Sequence, residues 1–297
     1  VGISKSKTSQ SQATQLSKHV PADVLQHLTE DEFSYLSTVF TRFNGYPALE
    51  HVWQLMDEQW IAHGCDPNNI DERVTAFYRR PVWMLNGLFI EQDEQSLKNR
   101  QVFTDWVVSQ QPLRVADFGG GFGGLARLVG QALPGSQVEV VDPHPHPAAI
   151  SLAESTPNVR FVPALQGEYD LLIATDVFEH VPDPIGLAGE TAAFLKVGGQ
   201  YLIANCFAPV ILCHLPQLFY LNVSWDQAMK AMGLAPGEKV QYGRAYRRVG
   251  NPSVRGSLNI NAARLVADRG RKIWPWVSRL PRGRVKAGQL LMKLLPR

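Results

Sequence analysis

The stretch VADFGGGFGGLARLV, residues 115–129, joins an apolar run to a helix-like run through five glycines within six residues. The preceding run, LRVADF, predicts a buried strand, and Leu125, Leu128, Val129 and Leu133 form one apolar helical stripe after the glycines. A glycine-rich turn between a strand and a helix lets the backbone approach a ligand closely. The stretch therefore predicts a ligand site at the carboxyl end of a strand.

Strand-like and helix-like runs alternate along the region that follows. The strand candidates are VEVVD, VRFV, YDLLIAT and QYLIAN, with a helix candidate over residues 185–195 before the last of them. Such alternation predicts an α/β fold with a parallel sheet and helices on both faces. Farther along, residues 224–232 look helical, and GEKVQYG with RGSLNIN predicts a final antiparallel pair. We therefore expect one continuous domain over residues 111–262.

The segments before this domain have a different character. Apolar residues at helical spacing predict a helical N-terminal cap or lid over residues 19–110. Residues 1–18 are polar, lack the apolar core of a secretory signal and predict a disordered tail. The chain starts with Val, which we interpret as a sign of a larger multidomain chain. Its three scattered cysteines argue against a disulfide framework and favour a cytoplasmic location.

Charge is unevenly distributed. Residues 265–297 hold nine Lys or Arg and one Asp, whereas the whole chain has a net charge of only +2. The rest of the chain is therefore acidic, which argues against nucleic acid as a partner. Basic residues mixed with Trp and Leu predict a basic amphipathic tail over residues 263–297, peripheral to an anionic membrane at its inner face. The alternative for this segment is a surface helix docked on the domain.

The glycine loop matches both GxGxxG and GxGxG, and the absence of a following Gly-Lys-Ser/Thr excludes a Walker loop. Asp142 ends the second strand, where a carboxylate can accept hydrogen bonds from a ribose diol. NAD and S-adenosylmethionine (SAM) both fit these two features. Asp117 lies in the loop, two residues before Gly119, where its charge would repel a pyrophosphate but attract a sulfonium and an ammonium group. We therefore favour SAM.

From VADFGGGFG through VEVVD and YDLLIATDVFEHVPDP to LKVGGQYLIAN, the chain resembles the class I SAM-dependent methyltransferases. The match covers residues 113–205, about a third of the chain. The resemblance implies a Rossmann-like seven-stranded sheet with a reversed final hairpin, and SAM as the cofactor. The chain departs from many relatives after the third strand, where PALQGE is short and contains no Asp.

The resemblance also implies a cofactor site. The methionine half of SAM would lie against Asp117 and the glycine loop, the ribose against Asp142, and the adenine between Ala164 and Leu165. Thr175 would line the cofactor side of the acceptor pocket. The expected cofactor-binding residues are Asp117, Gly119, Gly120, Gly121, Gly123, Asp142, Pro143, Ala164, Leu165 and Thr175.

A hydroxyl acceptor must lose its proton during methyl transfer, so a general base or a metal ion helps the reaction. Asp176, Glu179 and His180 follow the fourth strand within about one helical turn. This pattern resembles the O-methyltransferases of ubiquinone synthesis, which implies a divalent cation such as Mg²⁺ bound by these three residues. The alternative is that Glu179 and His180 fix the loop by hydrogen bonds. We predict His180, Asp176 and His214 as catalytic residues.

Polar and aromatic residues crowd the segment FYRRPVWMLNGLFIEQDEQSLKNRQ, which precedes the sheet. We predict that this segment covers the acceptor pocket and that Tyr78, Arg79, Arg80 and Trp83 bind the substrate. The alternative is simple packing of a helix on the sheet edge. An arginine here could bind an anionic or sugar-phosphate acceptor.

These observations predict a SAM-dependent methyltransferase that acts on an oxygen of a sugar, a glycan or a lipid-linked saccharide, as in polysaccharide biosynthesis. Two alternatives stay open at this point. One is O-methylation of a quinone-like or other small phenolic acceptor. The other is a non-catalytic module with a methyltransferase fold inside a larger assembly.

Overall fold

The structure, a computed structural model, describes residues 16–250 and 258–279 and contains a seven-stranded sheet of order β3-β2-β1-β4-β5-β7-β6. The strands are β1 (Arg114–Phe118), β2 (Gln137–Val141), β3 (Val159–Val162), β4 (Tyr169–Thr175), β5 (Leu195–Ala204), β6 (Leu234–Val240) and β7 (Gly243–Arg248). Strands β1 to β5 pair in parallel, and β7 pairs antiparallel with β5 and β6. The expected seven-stranded α/β sheet with a reversed final hairpin is confirmed.

One member of that hairpin differs from the prediction. GEKVQYG supplies the end of β6, but β7 is GRAYRR and not RGSLNIN. Of residues 255–261, Asn259 caps a helix that starts at Ile260, and residues 255–257 lie outside the described part of the chain. Three of the six residues of GRAYRR are Arg, and this composition is not typical of a strand.

Helices cover both faces of the sheet. α6 (Glu94–Gln110) and α7 (Gly124–Ala132) pack on one face, where Phe103 and Leu125 join the core. α9 (Pro184–Ala192), α10 (Leu221–Met232) and α11 (Ile260–Val277) pack on the other. The remaining helix of this region, α8 (Pro147–Ala153), follows β2.

The N-terminal cap has its own apolar core. Its helices are α1 (Ala22–Leu25), α2 (Glu30–Phe43), α3 (Leu49–Ala62), α4 (Glu72–Phe77) and α5 (Pro81–Gln92). Phe122 of the glycine loop is part of this core, so the cap rests directly on the loop. Leu16 is also fully buried in it. The predicted disordered tail over residues 1–18 therefore ends too late, and residues 1–15 lie outside the described chain.

The C-terminal helix α11 corrects the predicted start of the tail at residue 263. It begins at Ile260 and buries Ala263, Ala267 and Gly270, so this part of the segment is docked on the domain. Leu265 and Trp276 remain exposed, by 66% and 73%. The rest of the predicted tail, residues 280–297, lies outside the described residues.

Within residues 16–250 and 258–279, we find no helix with the length and apolar character that a membrane span requires.

Candidate active site

The order of the sheet reverses at β1, which has β2 on one side and β4 on the other. Ligands of open α/β sheets bind beyond the carboxyl ends of the strands at such a reversal. The glycine loop follows β1, and the segment after β4 lies against it. A Cβ atom on Gly119, whose φ is +72°, would be 2.7 Å from Cγ2 of Val177. The absence of a side chain at Gly119 thus allows the glycine loop and the segment after β4 to contact each other.

Asp117 lies under this loop, in β1 itself and not in the loop as predicted, and it is 1% exposed. Its Oδ1 atom accepts no hydrogen bond from the described residues. Burial raises the pKa of Asp117 to about 7, although the charge of Arg100 lowers it. A buried oxygen without a donor is destabilising. A cationic donor such as the ammonium group of SAM would satisfy it, so this residue fits its predicted role.

A cleft of about 480 Å³ opens beside the loop. It is lined by five of the predicted cofactor residues, Gly119, Asp142, Pro143, Ala164 and Leu165. One carboxylate oxygen of Asp142 accepts a hydrogen bond from the backbone of His144 at 2.7 Å, which leaves the other available for a ribose diol. This arrangement suits the adenosine half of SAM. Thr175 is half-buried at the end of β4 but does not line the cleft.

Sequence reasoning missed several residues of this cleft. They are Phe118, Val141, Pro163, Leu187, Glu190, Thr191 and Phe194. Phe118 directly precedes the glycine loop, so its place in the sequence could have identified it as a residue of the cleft. Leu187, Glu190 and Thr191 come from α9, which reaches the cleft only when the sheet has formed.

The predicted catalytic residue His180 lies after β4 in a buried aromatic setting. Its ring centroid is 6.1 Å from that of Tyr78, 6.3 Å from that of Trp83 and 4.9 Å from that of His214. Its Nδ1 atom is 3.1 Å from the carbonyl oxygen of Cys213, which can only accept, so Nδ1 carries the proton. Burial, together with His214, lowers the pKa of His180 to about 3. The ring is therefore neutral near pH 7 and keeps a lone pair on Nε2.

Two buried hydrogen-bond donors beside His180 lack an acceptor among the described residues. The hydroxyl of Tyr78 and the indole N–H of Trp83 are buried without a hydrogen-bond partner among the described residues. Buried polar groups are normally paired, so these donors indicate where an acceptor molecule would bind. The other two predicted substrate residues lie elsewhere. Arg79 donates to Nε2 of His144 at 3.3 Å, and Arg79 and Arg80 line a second cleft.

Two carboxyl groups lie near His180. Glu179 is fully buried, and its Oε1 accepts from the backbone N–H of Cys206 at 2.8 Å. Burial, with the charge of Asp176, raises the pKa of Glu179 to about 8, so it is largely neutral at pH 7. Asp176 has a left-handed φ of +54° and accepts from the hydroxyl of Tyr242 at 2.7 Å. Solvent reaches Asp176, yet densely packed neighbours desolvate its carboxylate and raise its pKa.

The structure regroups the predicted metal ligands. Potential ligand atoms of Glu179, His180 and His214 lie within 4.8 Å of one another, whereas Asp176 is outside this group. Two imidazoles and one carboxyl with a raised pKa do not suit Mg²⁺, which prefers oxygen ligands. Glu179 and His180 of the predicted set thus lie together with His214 and not with Asp176, and binding of a divalent cation by these residues stays a prediction.

Comparisons with known proteins agree with this geometry. The family model of the methyltransferase domain matches residues 86–243, from α5 to the start of β7. A segment of a highly reducing polyketide synthase from Strobilurus tenacellus is 29% identical over 198 residues. That match covers 60% of this chain, but the chain spans only 7% of the length of the synthase.

Two solved structures are also similar. Human N-acetylserotonin methyltransferase, solved in complex with SAM, is 18% identical with a TM-score of 0.46, over 74% of this chain and 71% of that one. An O-methyltransferase family protein from Burkholderia thailandensis is 15% identical with a TM-score of 0.46, over 77% of each chain.

The matched segment contains the glycine loop, Asp117, Asp142 and the residues that follow β4, and it covers more than half of the chain. The chain therefore belongs to the class I SAM-dependent methyltransferases.

Proposed function

We propose that this enzyme transfers the methyl group of SAM to a weakly acidic hydroxyl, phenolic or enolic, with His180 as the general base. The observation that carries the proposal is the neutral His180 ring, with its free Nε2 lone pair, beside the unpartnered donors of Tyr78 and Trp83. The rings of Tyr78 and Trp83 pack 5.1 Å apart and form one aromatic surface beside His180, which suits a flat acceptor.

Bound SAM supplies a methyl carbon that its sulfonium group activates. The protein holds the acceptor oxygen in line with that carbon and excludes water. Nε2 of His180 removes the hydroxyl proton, while the Nδ1 hydrogen bond to Cys213 keeps the ring oriented. A histidine with a lowered pKa is a weak base, so an acidic phenol or enol is a better match than a sugar hydroxyl.

Two other acceptors remain candidates. A carbon of the same enol is one, because an enolate reacts at carbon or oxygen. The similarity to part of a polyketide synthase favours it, since polyketide chains carry enolisable carbons between carbonyl groups. The sugar or glycan acceptor stays a prediction from the sequence, with the aromatic walls available to stack against a pyranose ring.

The test uses the full chain, SAM and three acceptors: a phenol, a β-diketone and a glycoside. Nuclear magnetic resonance of the product distinguishes a methyl group on oxygen from one on carbon. We expect methylation of the phenol or the enol oxygen. Substitution His180→Gln should lower kcat by about 10²- to 10⁴-fold because it removes the base, with little change in the affinity for SAM.

The exposed cap residue His51 provides the matched control, and His51→Gln should leave kcat unchanged. Full activity of the His180→Gln variant, or methylation of the glycoside alone, would contradict the proposal.

A further inference from the structure

A second cleft of about 480 Å³ lies on the N-terminal cap and shares no lining residue with the cofactor cleft. It lies between the end of α3, the helix α4 and the turn that leads into α5. Its lining residues are His63, Glu72, Thr75, Ala76, Arg79 and Arg80. Most of these side chains are polar, so the cleft suits a hydrophilic group better than an apolar one.

The two arginines of this cleft have no carboxylate partner within residues 16–250 and 258–279. The one hydrogen bond of the Arg79 side chain to another described residue is with the imidazole of His144, and the Nε atom of Arg80 is buried without a hydrogen-bond partner among those residues. The neighbouring Arg73, by contrast, forms an ion pair with Asp71 at 2.6 Å. Because buried guanidinium N–H groups are normally paired, an acceptor-rich anion is the partner that this cleft lacks.

The cleft and the acceptor site are connected through one short segment of chain. Arg79 and Arg80 directly follow Tyr78, and Trp83 lies three residues farther along. The rings of Tyr78 and Trp83 both lie beside His180, with centroids 6.1 Å and 6.3 Å from that of its ring. A molecule with its reactive hydroxyl at His180 and an anionic end beside this segment would therefore contact both sites.

We propose that the second cleft binds a phosphate group of the acceptor, which makes the substrate class a phosphate ester that carries a phenol or enol. A planar guanidinium group donates two parallel hydrogen bonds to phosphate oxygens, and two arginines, Arg79 and Arg80, line this cleft. Glu72 is the one acid in the lining, and its charge opposes binding without cancelling both arginines. This inference rests on the proposed function in one respect, the presence of a hydroxyl acceptor at His180. Phosphate binding itself can be measured without methyl transfer.

The experiment titrates inorganic phosphate and dimethyl phosphate into the full chain, with sodium chloride to hold the ionic strength constant. Calorimetry should detect saturable binding. Tighter binding of dimethyl phosphate would assign a diester, and tighter binding of inorganic phosphate a monoester. The double variant Arg79→Gln/Arg80→Gln should raise the Kd by about tenfold for each guanidinium group that is removed. Glu72→Gln should lower the Kd, because this variant removes the opposing charge.

Arg73→Gln is the matched control, since Arg73 lies outside the cleft and is already paired; its Kd should equal that of the wild type. Circular dichroism and SAM binding verify that each variant folds. If the double variant does not fold, the Glu72→Gln result decides alone. No binding above the chloride control, or no tightening by Glu72→Gln, would overturn the inference.

A separate kinetic comparison distinguishes this inference from the proposed function. A phenol that keeps its hydroxyl free and carries a phosphate ester elsewhere in the molecule should have a lower KM than the same phenol without the ester. Equal KM values with normal turnover would refute the phosphate site but leave the proposed reaction standing. Phosphate binding without turnover of any phenol or enol would refute the proposed acceptor and retain the cleft.

Discussion

Asp117 is the residue whose chemistry depends most on what the site binds. Its carboxylate is buried, and one oxygen accepts no hydrogen bond from the described residues. Burial raises its pKa to about 7, so in the free protein it is partly protonated at neutral pH. An ammonium group favours the ionised form. Binding of SAM and ionisation of Asp117 are thus linked.

This linkage predicts a pH dependence. The affinity of the wild-type protein for SAM should increase as the pH rises through about 7, because Asp117 then ionises before the ligand arrives. Asp117→Asn should weaken SAM binding by about tenfold or more and remove this increase. Calorimetric titration at pH 6 and pH 8 measures both effects. The exposed Glu154→Gln variant should keep the wild-type increase, and an equal increase in Asp117→Asn would contradict the assignment.

At the residue scale, the sequence was informative where the chemistry is local. The positions of Asp117 and Asp142 beside the cofactor cleft were predictable because Asp117 lies near the end of β1 and Asp142 directly follows β2, while their roles in SAM binding stay predictions. Tyr242 was not predictable because it reaches Asp176 from 66 positions away, through a hairpin that the pattern did not define. Arg79 and Arg80 line a cleft of the N-terminal cap that is separate from the cofactor cleft, and their predicted role in substrate binding stays a prediction.

The hairpin of β6 and β7 is the element that connects the sheet edge to the active site. Its turn is fixed to α6 by two contacts. The amide of Gln241 donates to Asn99 at 2.9 Å, and the ring of Tyr242 packs edge-on against Phe103 with centroids 5.4 Å apart. This places the hydroxyl of Tyr242 on Asp176. The conformation of the turn therefore sets the environment of the carboxylate.

Tyr242→Phe should raise the pKa of Asp176, because the lost hydrogen bond stabilised its ionised form. If the ionised carboxylate is required, the acidic limb of the kcat profile moves to higher pH by up to about one unit. The ring contact with Phe103 remains, so the fold is preserved. A kcat profile between pH 5 and pH 9 checks the shift. Tyr46→Phe, which removes a hydroxyl bonded to His19 in the cap, should cause none.

The error in β7 has a physical cause at this scale. Strand β7 lies between β5 and β6, which supply its backbone hydrogen-bond partners. Its strand conformation is therefore determined by this pairing and not by a pattern of apolar side chains. Only Gly243, Ala245 and Tyr246 are buried within it. Central strands such as β4 are buried along most of their length, and that pattern could be read directly.

At the scale of the whole molecule, Glu91 joins the cap to the methyltransferase domain. This residue of α5 forms ion pairs with Arg100 of α6 at 2.9 Å and with Arg127 of α7 at 2.5 Å. Each arginine side chain is only 12% exposed. One carboxylate of the cap therefore links α6 and the helix that follows the glycine loop.

Glu91→Gln should lower the free energy of unfolding by about 2 kcal/mol, because it leaves two mostly buried arginines without their counter-charge. Urea denaturation measures this loss. The exposed Glu154, which makes no ion pair among the described residues, provides the control, and Glu154→Gln should stay within about 0.5 kcal/mol of the wild type. Equal stability of the two variants would show that the cap is held by its apolar contacts alone.

The predicted contact with an anionic membrane belongs to this scale as well. Since α11 buries Ala263, Ala267 and Gly270, a deletion from residue 263 would damage the domain, and the appropriate truncation removes residues 280–297. Co-sedimentation with phosphatidylserine vesicles should decrease for the truncated chain, because five of the nine basic residues of the segment 265–297 are lost with it. Equal sedimentation of both forms would refute the prediction.

Tyr78 and Trp83 approach His180 from a stretch of chain that precedes the matched methyltransferase segment, which begins at residue 86. Under the proposed function, contacts to the acceptor come both from this stretch and from His180, whereas the lining of the cofactor cleft lies wholly within the matched segment. We therefore expect substitutions confined to residues 78–83 to change the choice of acceptor and to leave the affinity for SAM at the wild-type level.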